Sequence, residues 1–236
     1  MTTVKNKSNK SMTPEVEVFL HYFTEQEERQ LFKTVKETYG IYAQRDYYWM
    51  LLMRETAVRL GILAGPHAKK AQELNLPMLG LTVGDAEQSL EEGYLIYDST
   101  NAKGKKKHPI ALNKSAIHAL KQLLKIHVEM SQGIEWDTPR LERPLFLSRN
   151  RQAMSRRSFQ SRFSTWCRLA NVPEGTPHWL RHSWAKRYLE RTTSPDALRR
   201  VQAVLGHSNL STTAIYTAPD KESIAVAMRE ASTCFR

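Results

Sequence analysis

Thr176-Pro177-His178-Trp179-Leu180-Arg181-His182 reads as the opening of a helix, with threonine as cap and proline in the first turn, where its missing N–H costs nothing. Spacings of three and four put His178, Arg181 and His182 on one helical face. Ser194-Pro195 repeats the start signal, Gly206 closes that second helix, and Ser211 opens a further one that contains Tyr216. Two histidines four apart also suit a shared zinc, but the metalloprotease pattern needs glutamate directly after the first histidine, and Trp179 stands there. Core-satisfied histidines beside a surface arginine are the other structural reading of these seven residues.

Upstream, helices dominate. Thr24 and Glu27 form a capping box ahead of an apolar stripe of Leu31, Phe32 and Val35 that stops at Gly40. A second helix is expected from about Ala43 through Arg59, buried along Tyr47, Leu51 and Val58. Gly61, Gly65, Pro66 and Pro77 interrupt any period over 60–80, which predicts a broken helix or an insertion. Between Tyr94 and Leu112 the period shortens to two around a lysine-loaded turn, the pattern of a small antiparallel hairpin. Asn113 caps a helix running to about Met130, with Ile117, Leu120, Leu124 and Val128 inward. Ser155 caps another, with Phe159, Phe163, Trp166 and Ala170 buried. The fold class is mainly α with a small antiparallel β-sheet. Residues 1–18 read as a flexible basic tail, 19–236 as one domain, and 221–236 as a C-terminal helix and tail, with Ile224, Val226 and Met228 packing at home or on a neighbouring protomer.

The chain's 236 residues carry 35 Lys+Arg against 24 Asp+Glu, a net charge of +11 that calls for a polyanionic partner. From Pro139 to Leu210 there are fourteen basic residues against four acids, and thirteen of the fourteen are arginine. The planar guanidinium fork binds phosphate oxygens in pairs, and so dense a cluster repels itself unless a polyanion neutralises it. Arg149, Arg151, Arg156, Arg157 and Arg162, with Lys105 and Lys106, are the candidate contacts for such a polyanion. The longest apolar run, Tyr47 to Met53, is far short of the ~18 residues a membrane span needs, so no membrane partner is expected. Cys167 and Cys234 cannot build a disulfide framework or a multi-thiolate zinc site, and the polar start lacks a secretory signal. A reducing cytoplasm, with no metal and no cofactor, is the expected setting.

Taken together, His-x-x-Arg at 178–181, Leu-Gly-His at 205–207 and Ser208-Asn209-Leu210-Ser211-Thr212-Thr213 leading to Tyr216 resemble the C-terminal signature of the tyrosine recombinases, the bacteriophage-integrase family. The resemblance spans about residues 22 to 220. It implies the α+β catalytic-domain fold of that family and a set of roles. Arg59, in Thr56-Ala57-Val58-Arg59, matches the family's Thr-Gly-x-Arg apart from alanine replacing glycine. Lys103 is the best match to the hairpin lysine, with Lys105, Lys106 and Lys107 as rivals. The implied chemistry needs neither metal nor ATP: Tyr216 attacks a phosphodiester, Arg59 and Arg181 clamp it, and His207 donates a hydrogen bond. His178 takes the phenolic proton, Lys103 protonates the departing 5′ oxygen, and a 3′-phosphotyrosyl enzyme results.

Some of the pattern departs. Ile62 occupies the position of an acid that follows the family's first arginine, and Leu81-Thr82-Val83-Gly84-Asp85 arrives late, so about fifteen extra residues are expected between Arg59 and Leu74; whether Glu73 replaces the lost acid is left open by the sequence. Only a short tail precedes Thr24, which resembles the compact recombinases that invert promoter segments of bacterial fimbrial genes. The resemblance implies double-stranded DNA as partner and a homo-oligomer that forms a tetrameric synapse; with so short a tail, one protomer is expected to grip DNA weakly, and specificity to depend on pairing between protomers or on an accessory DNA-binding protein. The outcome would be integration, excision or inversion. A catalytically weakened DNA-binding regulator and a type IB topoisomerase-like relaxing enzyme are the alternatives.

Overall fold

The computed structural model describes residues 21–65, 80–97, 109–207, 209–214, 216 and 228–229. The basic tail, most of the 60–80 interruption, the lysine-bearing turn with Lys103, Lys105, Lys106 and Lys107, and nearly all of 221–236 lie outside the described residues.

Helix α1 (Glu25–Glu37) starts at the Thr24–Glu27 capping box, with both reciprocal bonds formed, and buries Leu31, Phe32 and Val35. Helix α2 (Ile41–Thr56) is apolar almost all round, with Trp49, Met50, Leu52 and Met53 fully buried at the centre of the molecule. It ends three residues earlier than its sequence suggests, because Ala57 turns left-handed (φ 52°) and its N–H bonds the Met53 carbonyl. Arg59 therefore lies beyond α2, as the residue that leads into the short α3 (Leu60–Ala64). The chain returns at Gly80, where a Cβ would meet the Leu63 carbonyl oxygen at 1.8 Å, so only glycine allows Leu81 N–H to bond that carbonyl.

Helix α4 (Val83–Glu92) carries a second capping box, Thr82 with Asp85. Antiparallel bridges join Tyr94 to Ala111, Thr82 to Pro144 and Leu147 to Ala153; these isolated contacts are all of a sheet among the described residues. Helix α5 (Lys114–Met130) is capped by Asn113 as expected, but its buried face is Ala116, Ala119, Leu120, Leu123 and Ile126. That rotates the expected stripe towards α2, leaving Val128 62% exposed. Helix α6 (Arg156–Leu169) is capped by Ser155 and buries Phe159, Phe163 and Trp166, the two phenylalanine rings against Trp49.

Helix α7 (Pro177–Arg191) has proline in its first turn. Helix α8 (Ala197–Leu205) begins two residues after Pro195 and stops at Gly206, which is left-handed (φ 57°). There the N–H groups of Gly206 and His207 return to the carbonyls of Ala203 and Gln202. Helix α9 (Ser211–Ala214) is one turn.

Two cores result. The larger is built on α1, α2, α5 and α6. The smaller holds Ala57, Ala185, Val201, Leu205 and Tyr216, flanked by Trp184 and Tyr188, so a candidate catalytic ring is itself a packing element. No described helix is long and apolar enough to cross a membrane.

Candidate active site

Four separate pieces of chain meet around the end of α8. Arg59 Nη2 donates to the Leu205 carbonyl at 2.8 Å and to the Gly206 carbonyl at 3.2 Å. Arg181, only 2% exposed, donates from Nη1 to the Ala57 carbonyl at 2.5 Å and from Nη2 to Leu205. The two guanidinium groups thus share one carbonyl at a helix C-terminus, the negative end of its dipole. Among the described residues, neither is paired with a carboxylate. Burial first and Arg59 second push the Arg181 pKa down to about 9.

These contacts explain two departures from the family pattern. Ala57 occupies a left-handed position that favours glycine, so Thr-Gly-x-Arg is a helix-stop that aims the arginine. Ile62, where an acid was expected, is buried in the larger core, and the α8 carbonyls hold Arg59 instead. Asp85 is taken up by the α4 capping box, where its carboxylate accepts from the Thr82 N–H, and Glu73 lies outside the described residues.

Tyr216 is 4% exposed, and its hydroxyl lies 2.6 Å from His182 Nδ1. Burial raises its pKa to about 12, opposed by Arg181 and Arg59. His207 follows the Gly206 stop; its Nδ1 is 3.0 Å from the fully buried Thr213 hydroxyl, which fixes the ring nearly parallel to that of Tyr216. His178 stands at the mouth of the site with much of its ring open to water, held below its ordinary pKa by partial burial and then by Arg181, Arg156 and Arg59. No hydrogen bond joins it to Tyr216. Its ring instead lies 5.7 Å from that of His182, and His182 meets the phenol.

His182 is the residue that sequence reasoning left without a role. Its signal was present, since it shares a helical face with His178 and directly follows Arg181. Burial, then His178, Arg181, His21 and His207, push its pKa down to about 3. A zinc shared by His178 and His182 finds no third ligand, because among the described residues no three His, Cys, Asp or Glu side chains are grouped to hold a metal ion.

The remaining candidates divide. Arg149, Arg157 and Arg162 line a cavity of about 550 Å³ beside Tyr42, with Arg149 over the Tyr42 ring. Arg162 is tied down: its Nε donates at 2.6 Å to Asp46, a fully buried carboxylate that also accepts from Arg45, Trp49 and Trp166. Arg156 lies at the first turn of α6, close enough to act on His178. Arg151 is exposed in a left-handed turn (φ 58°).

The sequence model of the phage integrase family matches residues 21–223, most of the chain and all of the described site. The chain belongs to the phage integrase family. Among curated relatives of this family member, tyrosine recombinase XerC of Shewanella amazonensis is 34% identical over 149 residues, covering 63% of this chain and 45% of that protein. XerC of Neisseria gonorrhoeae is 36% identical over 126 residues, covering 52% of this chain and 37% of that protein. The chain thus spans under half the length of the curated relatives it matches. Solved structures share the fold. XerA recombinase superposes with a TM-score of 0.62 at 22% identity, covering 92% of this chain and 64% of that one. The Tn1549 transposon integrase in complex with transposon right end DNA gives 0.63 at 18%, covering 94% and 68%.

Proposed function

We propose that this chain is the catalytic domain of a site-specific DNA recombinase that cuts and rejoins strands through a 3′-phosphotyrosyl intermediate. One observation carries the reading: two guanidinium groups without a carboxylate and a buried phenol, drawn from distant parts of the chain, converge on the end of α8. The described partners of both guanidinium groups are neutral carbonyls, and a phosphodiester has the charge and the paired oxygens to replace them.

On this reading Arg59 and Arg181 exchange their carbonyl partners for the non-bridging oxygens of the scissile phosphate. They stabilise the charge that grows as Tyr216 Oη attacks in line. His207, steadied by Thr213, adds a hydrogen bond. His178, at the mouth beside the guanidinium groups, either meets the phosphate or receives the nucleophile's proton. Lys103 is the general acid for the 5′ oxygen. The arginine-lined cavity around Arg149 and Arg157 supports DNA as partner, Arg151 and Arg156 add positive charge among the described residues, and Lys105 and Lys106 are further proposed DNA contacts. The protein works in the bacterial cytoplasm as a homo-oligomer on DNA, a tetrameric synapse, with an accessory DNA-binding protein. Residues 19–236 act as one catalytic domain.

A nicked suicide duplex tests this. An SDS-resistant adduct that forms in EDTA and disappears in Tyr216→Phe is the expected result. Tight DNA binding without any adduct would overturn it in favour of a regulator on the same fold.

A further inference from the structure

The recombinase reading gives Tyr216 its task but leaves its proton without a defined destination. The only hydrogen bond described for the Tyr216 hydroxyl is to His182 Nδ1, at 2.6 Å, with the two rings 5.5 Å apart. Both residues are held in place. Tyr216 packs in the smaller core with Ala57, Ala185, Val201 and Leu205, and His182 sits on α7 one residue after the buried Arg181.

We propose that His182, rather than His178, takes the proton from Tyr216 during strand cleavage and returns it during rejoining. This rests on the strand-cutting reading above.

The groups facing His182 are His178 and Arg181 from its own helix, His21 from the segment before α1, His207 after α8, and Tyr216 itself. Burial and these neighbours keep the imidazole neutral. A neutral ring with its proton on Nε2 presents a lone pair at Nδ1, as an acceptor of the phenolic proton requires. The step balances. As the Oη–P bond forms, the Oη–H proton passes to Nδ1, giving an imidazolium; the P–O5′ bond breaks, and the 5′ oxygen is protonated by a separate acid, the role proposed above for Lys103. The phosphate brings negative charge to a site that otherwise holds only cations and neutral rings, which favours that imidazolium. On rejoining, the imidazolium returns its proton to Oη as the phenol leaves.

Two measurements on the full chain decide this. In the DNA-free protein labelled with 15N-histidine, long-range proton–nitrogen correlation should show His182 protonated at Nε2, with an Nδ1 signal that moves in Tyr216→Phe. A proton on Nδ1, donated to Oη, would overturn the proposal.

The second is single-turnover adduct formation on nicked duplexes trapped from a randomised pool. His182→Asn keeps a polar side chain near the hydroxyl but cannot take a proton, and should slow adduct formation by about a hundredfold. Placing difluorotyrosine, a more acidic phenol, at position 216 should recover most of that loss in His182→Asn. It should not rescue His178→Ala. Rescue of His178→Ala alone, or a His182→Asn rate within about threefold of wild type, would return the role to His178. If the wild-type chain forms no adduct at all, the strand-cutting reading fails, and the nitrogen measurement still decides the hydrogen bond.

Discussion

Arg181 bridges the stop of α2 and the end of α8, which a single point charge cannot do. A lysine there reaches one of the two carbonyls at best, so Arg181→Lys should cost about 1.5–3 kcal/mol of stability in urea denaturation and abolish adduct formation. His182 makes stability pH-dependent. Its folded pKa, about 3, lies below the ordinary 6.5, so the unfolded chain binds the proton first as pH falls. Its contribution is complete above about pH 6.5 and drains away towards about pH 3. By about pH 5 the loss reaches up to about 2 kcal/mol, and His182→Gln should remove that part of the difference between denaturation curves taken at about pH 7 and about pH 5. Arg59, His178, Arg181, His207 and Tyr216 were picked out as candidates from the sequence by the resemblance to the integrase signature. The partner of the phenol was not, because a choice between histidines at adjacent turns depends on where a third element lays its ring.

The elements were most legible where local chemistry sets them. Thr24, Asn113 and Ser155 cap their helices through the side-chain bonds that their residue types predict, and Gly206 stops α8. What local pattern missed came from packing. Helix α2 ends at Ala57 because the chain must turn left-handed to send Arg59 back to α8, and the buried face of α5 is set by α2 rather than by its most apolar stripe. Asp46 is the clearest case of an interaction that no period reveals: one buried carboxylate ties α2 to α6 through Arg162 and Trp166 and neutralises the buried Arg45. Asp46→Ala leaves that guanidinium uncompensated and should cost about 3–5 kcal/mol, measured by thermal or urea unfolding.

Across the whole molecule, the charge excess seen in the sequence divides into two kinds of arginine. Some are structural: Arg162 on Asp46 and Arg187 on Glu28. Others, such as Arg157, are exposed beside the cavity. Composition could not separate them, since both raise the net charge equally. DNA binding can. Arg157→Ala should lower the slope of log affinity against log salt by about one phosphate contact while leaving stability unchanged. Arg162→Ala should instead lower the unfolding midpoint, with the salt slope nearly intact. The convergence of Arg59, Arg181 and Tyr216 on the end of α8 has its most direct test in the covalent product. After trapping on a nicked duplex and proteolysis, mass spectrometry should find a nucleotide joined through its 3′ phosphate to the peptide containing Tyr216. A linkage through another residue, or DNA bound tightly with no linkage, would contradict the account.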